Sequence, residues 1–204
     1  MNRGVFSLVG LLCIARPVLA QDTRLSAKLD KPTLTAVSAI VDSARISKLP
    51  TAPLIDKALE GVAKGSDGEN IIIAVRQLSL RMGSAKRALA STATPDEVKA
   101  AASALEVGVS ERDLARLRAA AGKQPVTVPL AVLTDLVGQK VPIPTATNLV
   151  LQFARSGVKD SDLALFQRNV RSDVDQGADP TVAATTRARG LVARGGPPPK
   201  PSLE

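Results

Sequence analysis

The sequence predicts an all-α protein, a multi-helix orthogonal bundle or a short α-solenoid of helix-turn-helix units. Two observations predict it. Apolar residues recur at helical spacing through most of the chain. Proline or a capping residue opens nearly every such segment, and glycine closes it. The punctuation gives about nine helices joined by short connections, the loop lengths of helical bundles. Units of irregular length favour the bundle over the stack.

Residues 1–20 read as a secretory signal peptide. Arg3 supplies the positive start, Val5 to Ala15 the apolar stretch, and Val18-Leu19-Ala20 the cleavage site, with Gln21 first in the mature chain. The apolar run is short for a membrane span. Cys13 is the single cysteine, and Leu12 before it does not suit a lipid-attachment site. Cleavage therefore leaves a chain with no thiol and no disulfide, secreted or periplasmic, with no transmembrane segment. Residues 21–32 are polar and expected to be flexible, residues 33–190 to form the helical domain, and residues 191–204 to be a disordered, basic Gly/Pro-rich tail.

A first helix is expected from Thr33 to Ile46, with Leu34, Val37, Ile40, Val41 and Ala44 on one face. Pro50 and Pro53 open the next, carrying Leu54, Ile55, Ala58, Leu59 and Val62. Gly65 ends it, because glycine tolerates a left-handed backbone at a helix C-terminus. Ser66 and Glu69 have capping-box spacing for the helix that follows. That helix carries a seam of Ile71, Val75, Leu78, Met82, Ala85 and Leu89, and continues through Gly83. Ile71-Ile72-Ile73 alone would suit a strand; the longer spacing favours helix.

Thr94-Pro95-Asp96-Glu97 is the clearest start signal: N-cap, proline at N1, glutamate at N3. Val98, Ala101, Ala102 and Leu105 follow, closed by Gly108. Ser110 with Asp113 caps a short helix bearing Leu114 and Leu117 and ending near Gly122. Val126 and Val128 sit in a loop that is expected to be briefly extended. Pro129 opens a helix with Leu130, Leu133, Leu136 and Val137, closed by Gly138. From Val141 a second unit resembles the one at Leu49 at an offset of 92: Pro50 falls on Pro142, Leu59 on Leu151, Gly65 on Gly157 and Arg76 on Arg168. Its second helix places Leu163, Phe166, Val170 and Val174 on one face. Asp179-Pro180 starts a final helix.

The formal net charge is +8, of which the leader holds two and the segment from Thr181 three. The fold itself is close to balanced, so the basic pI does not signal a concentrated patch. No Trp, no Tyr and three Phe leave no aromatic stacking platform, and no specific nucleic-acid binding is expected.

The chain has no His, which removes the usual proton shuttle and most zinc and nucleophile-base arrangements. Three constellations remain. Ser156 and Lys159 have Ser-x-x-Lys spacing, but Gly157 between them breaks the helix that would present both. Asp173, Asp175 and Asp179 around Gly177 loosely match a calcium loop without its closing glutamate. Asp56 and Glu60 lie one turn apart, but Lys57 and Lys64 make them a solvated face. No enzymatic activity, metal or cofactor is therefore expected. The expected role is an exported binding or scaffold protein, engaging a protein partner through a helix face such as the Ile71–Leu89 seam. The basic tail offers weak contact with anionic surfaces. The alternative is a carrier of a hydrophobic small molecule or lipid in an inter-helix cavity.

Overall fold

In a computed structural model, residues 23–90 and 92–195 are described. The proposed leader and most of the Gly/Pro-rich tail lie outside them. The described residues form ten helices: α1 (Thr23–Ser26), α2 (Lys31–Ile46), α3 (Ala52–Ala63), α4 (Gly68–Leu89), α5 (Pro95–Glu106), α6 (Glu111–Ala121), α7 (Thr127–Gly138), α8 (Ile143–Arg155), α9 (Asp160–Asp175) and α10 (Pro180–Gly195). The all-α class is as the sequence predicts.

Most boundaries follow the local chemistry. Thr94 Oγ1 accepts the Glu97 amide at 3.2 Å, and Glu97 Oε2 accepts the Thr94 amide at 2.9 Å, a complete capping box. Ser110 caps α6 by accepting the Asp113 amide at 3.1 Å, and Asp179 caps α10 by accepting the Val182 amide at 2.9 Å. α4 runs unbroken through Gly83.

Other boundaries differ. The cap of α4 is Asp67, whose carboxylate accepts the Asn70 amide at 2.8 Å; it is not Ser66 paired with Glu69. Ser66 is already engaged in closing α3: its amide reaches back to the Gly61 carbonyl at 3.0 Å, around Gly65 at φ 68°. The left-handed residue after α7 is not Gly138 but Lys140, at φ 73°. Gly138 remains inside the helix. α7 begins at Thr127, so Pro129 occupies its first turn, and Val126 and Val128 form no extended segment.

Both expected tails carry structure. In the segment 21–32, α1 forms, α2 already begins at Lys31, and Leu25 is buried to 2% exposure. At the other end α10 continues to Gly195, because Leu191 and Val192 pack against the core.

Helix packing follows a simple order. α2, α4, α6, α8 and α10 make one row, each packed on the next; α5, α7 and α9 continue a second row beside it. Cross-row contacts join α3 to α4, α4 to α5, α7 to α8 and α9 to α10. This is the neighbour order of stacked helical units, in which contacts stay between near neighbours. The two sequence units separate here. α3 packs closely on α4, whereas α8 and α9 diverge after their turn and pack on α7 and α10 instead.

The core is aliphatic, as the composition requires. Val75, Met82, Ala85 and Leu89 of the α4 seam are almost fully buried, with Ile71. The seam therefore packs into the protein's own core and is not a free face for a partner. Two contacts set helix spacing. A side chain at Gly61 would strike Ile71 Cγ1 at 2.7 Å, and one at Gly68 would strike Thr33 Oγ1 at 2.0 Å. The missing Cβ atoms let α3 and α2 approach α4. The two large rings meet edge-on between α8 and α9: Phe153 and Phe166 have centroids 5.0 Å apart at 70°.

Candidate functional site

α9 and α10 form an antiparallel hairpin at the end of the two rows. Between them, and reaching the α8–α9 turn, lies an open groove of about 740 Å³. Val158, Leu165, Phe166 and Leu191 give it an apolar wall, while Lys159, Asp162, Asn169, Asp173, Thr186 and Arg187 supply polar groups. Gly157 and Gly190 face it without side chains, and a Cβ at Gly190 would meet nothing within 4 Å.

One end of the groove is closed by a bidentate ion pair. Arg187 Nε and Nη2 donate to the two Asp173 oxygens at 2.7 Å each. The guanidinium holds the Asp173 carboxyl below its ordinary range, and the carboxylate raises the arginine in turn. At the other end, Lys159 and Asp162 make no side-chain hydrogen bond or ion pair among the described residues, and neither does half-buried Asn169 between the two ends.

The three constellations from the sequence are placed as follows. Ser156 is the C-cap of α8 and Lys159 precedes α9, on either side of Gly157 at φ 62°, so no shared helix face presents them together. Asp173 is held by Arg187 and Asp179 caps α10, so two of the three acidic residues have structural uses, while Asp175 is exposed at the end of α9. Asp56 lies 3.8 Å from Arg24. Glu60 accepts from Lys57 at 3.0 Å and also from Lys64; these bonds, that of Lys64 foremost, keep its carboxyl below the ordinary range.

Among the described residues no three His, Cys, Asp or Glu side chains are grouped to hold a metal ion. Asp162 and Asp173 share one side of α9, about 16 Å apart along its axis. Paired carboxylates in glycoside hydrolysis stand about 5–10 Å apart across a cleft. No described helix is long and apolar enough to cross a membrane.

Sequence periodicity alone does not find Asn169 or Gly190. Two signals pointed towards the groove: Leu165 is a large apolar residue outside the α9 stripe, and Gly190 interrupts a helical pattern without ending it. Compared with protein-family models, curated proteins and solved structures, the chain matches none.

Proposed function

We propose that this is an exported, non-enzymatic helical binding protein whose α9–α10 groove holds an extended polypeptide segment. The observation that carries the reading is Asn169. Its carboxamide sits half-buried in the groove without a partner, beside the apolar wall of Leu165, Phe166 and Leu191. A carboxamide offers both a donor and an acceptor, the complement of a peptide unit. A groove about 16 Å long accepts roughly five extended residues at about 3.3 Å each. The stacked rows present such a surface on a rigid support. Export rests on the leader pattern of residues 1–20, and the non-enzymatic role on the absence of His and on the engagement of Asp173 and Asp179 in an ion pair and a cap.

The test is peptide display against residues 21–204 and against the same chain carrying Gly190→Trp, which fills the groove. Peptides whose binding is lost in Gly190→Trp support the reading. A selection that yields no groove-dependent peptide removes it. Native mass spectrometry of the exported protein adds a separate outcome: an adduct of lipid-like mass would favour the carrier instead.

A further inference from the structure

We infer that the outer face of the row α2, α4, α6 and α8 docks on a membrane surface of anionic phospholipid. The near balance of charge over the fold hides a separation between its helices. These four hold ten Lys and Arg against four Asp and Glu. The helices packed against the row, α3, α5, α7 and α9, hold four against ten. Of the four acids in the row, Asp42 pairs with Arg45, Asp113 with Arg116, and Glu111 meets Arg87. Glu69 lies in the first turn of α4.

Each inner helix of the row has its neighbours on two sides and the second row behind it, so its exposed stripe faces outward. On α4 that stripe is Ile73, Arg76, Leu80 and Arg87. At 3.6 residues per turn these fall within about 60° of one another, opposite buried Val75 and Met82. On α6 the stripe is Arg112, Ala115, Arg116 and Ala119. Arg87 Nη2 lies 4.0 Å from Glu111 Oε1 at the start of α6, so the two stripes adjoin. Asn148, Gln152 and Arg155 continue the face on α8, and Ile46 ends the exposed stripe of α2.

Two properties select a membrane as the occupant. Among the described residues five large apolar side chains are exposed, and three of them, Ile46 at 84%, Leu80 at 67% and Ile73 at 42%, lie in this row. Aliphatic groups set among arginines suit the boundary between lipid headgroups and acyl chains. The apolar tips enter it, the arginine stems lie along it, and the guanidinium groups reach phosphate. Among the described residues Arg76, Arg112 and Arg155 have no carboxylate partner, so phosphate displaces no ion pair there. The second property is width. Three helix spacings of about 8–10 Å spread the face over about 24–30 Å. One extended polypeptide covers a strip only about 5 Å wide, whereas a bilayer meets the whole face. With no Trp or Tyr, the face also lacks the stacking groups of a single-stranded nucleic-acid site.

The test is co-sedimentation of residues 21–204 with vesicles of phosphatidylcholine, alone or mixed with phosphatidylglycerol, at about 0.1 M salt, where charges on the far side of the molecule are screened. Pelleting is expected with the mixed vesicles only. Each cation at an anionic surface strengthens attachment roughly fivefold. Arg76→Glu with Arg112→Glu should therefore weaken binding at least tenfold, and Leu80→Asn should weaken it at unchanged charge. Lys99→Glu with Arg168→Glu, the same change of charge on α5 and α9, should alter binding no more than about twofold. No pelleting with the mixed vesicles overturns the inference, as does an equal loss in the α5–α9 variant. Undiminished binding of Leu80→Asn overturns it too, because the apolar tips then play no part. Binding of soluble polyglutamate without pelleting on vesicles points to an acidic polypeptide instead. Gly190→Trp is expected to leave vesicle binding unchanged, so this inference and the groove reading fail separately.

Discussion

Glu97 Oε1 accepts the Val126 amide at 2.9 Å, joining the first turn of α5 to the residue that precedes α7. The same oxygen takes Arg118 Nη1 of α6 at 3.0 Å, and the other oxygen closes the α5 capping box. One carboxylate, 4% exposed, therefore fixes the relative positions of three helices. Arg118 extends the tie by donating to the Gly122 carbonyl at 3.0 Å and to that of Gln124. Replacing Glu97 by Ala leaves the Val126 amide and the Arg118 guanidinium without their acceptor. Such a change is expected to cost about 3 kcal/mol, measured as a drop in denaturant midpoint at unchanged slope.

The same group sets an acid limit. Burial pushes the Glu97 carboxyl up, but the Thr94 and Val126 amides and Arg118 together outweigh it and hold it below its ordinary 4.5. The folded state then binds fewer protons than the unfolded one, so its stabilisation is complete above about pH 4.5 and fades as the pH falls through the lowered value. Asp173, lowered by Arg187, acts with the same sign. Glu97→Gln is expected to flatten the loss of stability below pH 4.5, read from thermal melts across pH.

Two exchanges, one introducing glycine and one removing it, are both expected to stabilise the fold. Lys140 holds a left-handed backbone at φ 73°, which a side chain disfavours by about 1 kcal/mol. Gly83 lies within α4, where a Cβ would meet only Arg87 Nη1 at 3.6 Å. Lys140→Gly and Gly83→Ala should each raise stability by about 0.5–1 kcal/mol, and their effects should add because the sites share no partner. Melting temperatures of the two single variants and the double variant check this.

Gly61→Ala is expected to do the reverse. Its Cβ would sit 2.7 Å from Ile71 Cγ1, and the α3–α4 spacing must open. A loss of about 1–3 kcal/mol is expected. If the clash is the cause, Ile71→Ala, which removes Cγ1, should cost less on this background than in the parent chain; equilibrium unfolding of the single and double variants decides.

Phe153 is fully buried and meets Phe166 edge-on. The core is otherwise almost entirely Ala, Leu, Val and Ile, and Phe166, the one other large ring in it, is itself already packed, so the space is filled only in part. Phe153→Ala should cost about 3–5 kcal/mol and loosen α9, the wall of the groove. Hydrogen exchange along α9 would show faster opening; unchanged exchange would mean that α7 and α10 hold α9 without the ring pair.

The sequence by itself determined the helices, because caps, prolines and left-handed glycines act within a few residues. Thr94 with Glu97, Ser110 with Asp113 and Asp179 with Pro180 were legible because each signal and its target lie on the same turn. The apolar stripe of α9 was legible for the same reason. Ser66 misled because one residue stood between two helices that both needed a partner, and the closing of α3 took it. The start of α7 was hidden because it depends on Glu97, distant in sequence. Only the tertiary structure decided which faces meet. Faces of Ala, Leu and Val are nearly interchangeable, and with no disulfide in residues 21–204 and few rings, no residue names its partner in advance. The resemblance between the units at Leu49 and Val141 therefore did not foretell that α3 packs on α4 while α8 and α9 part. That divergence brings α9 beside α10, and so places Asp162, Asn169 and Gly190 on one groove.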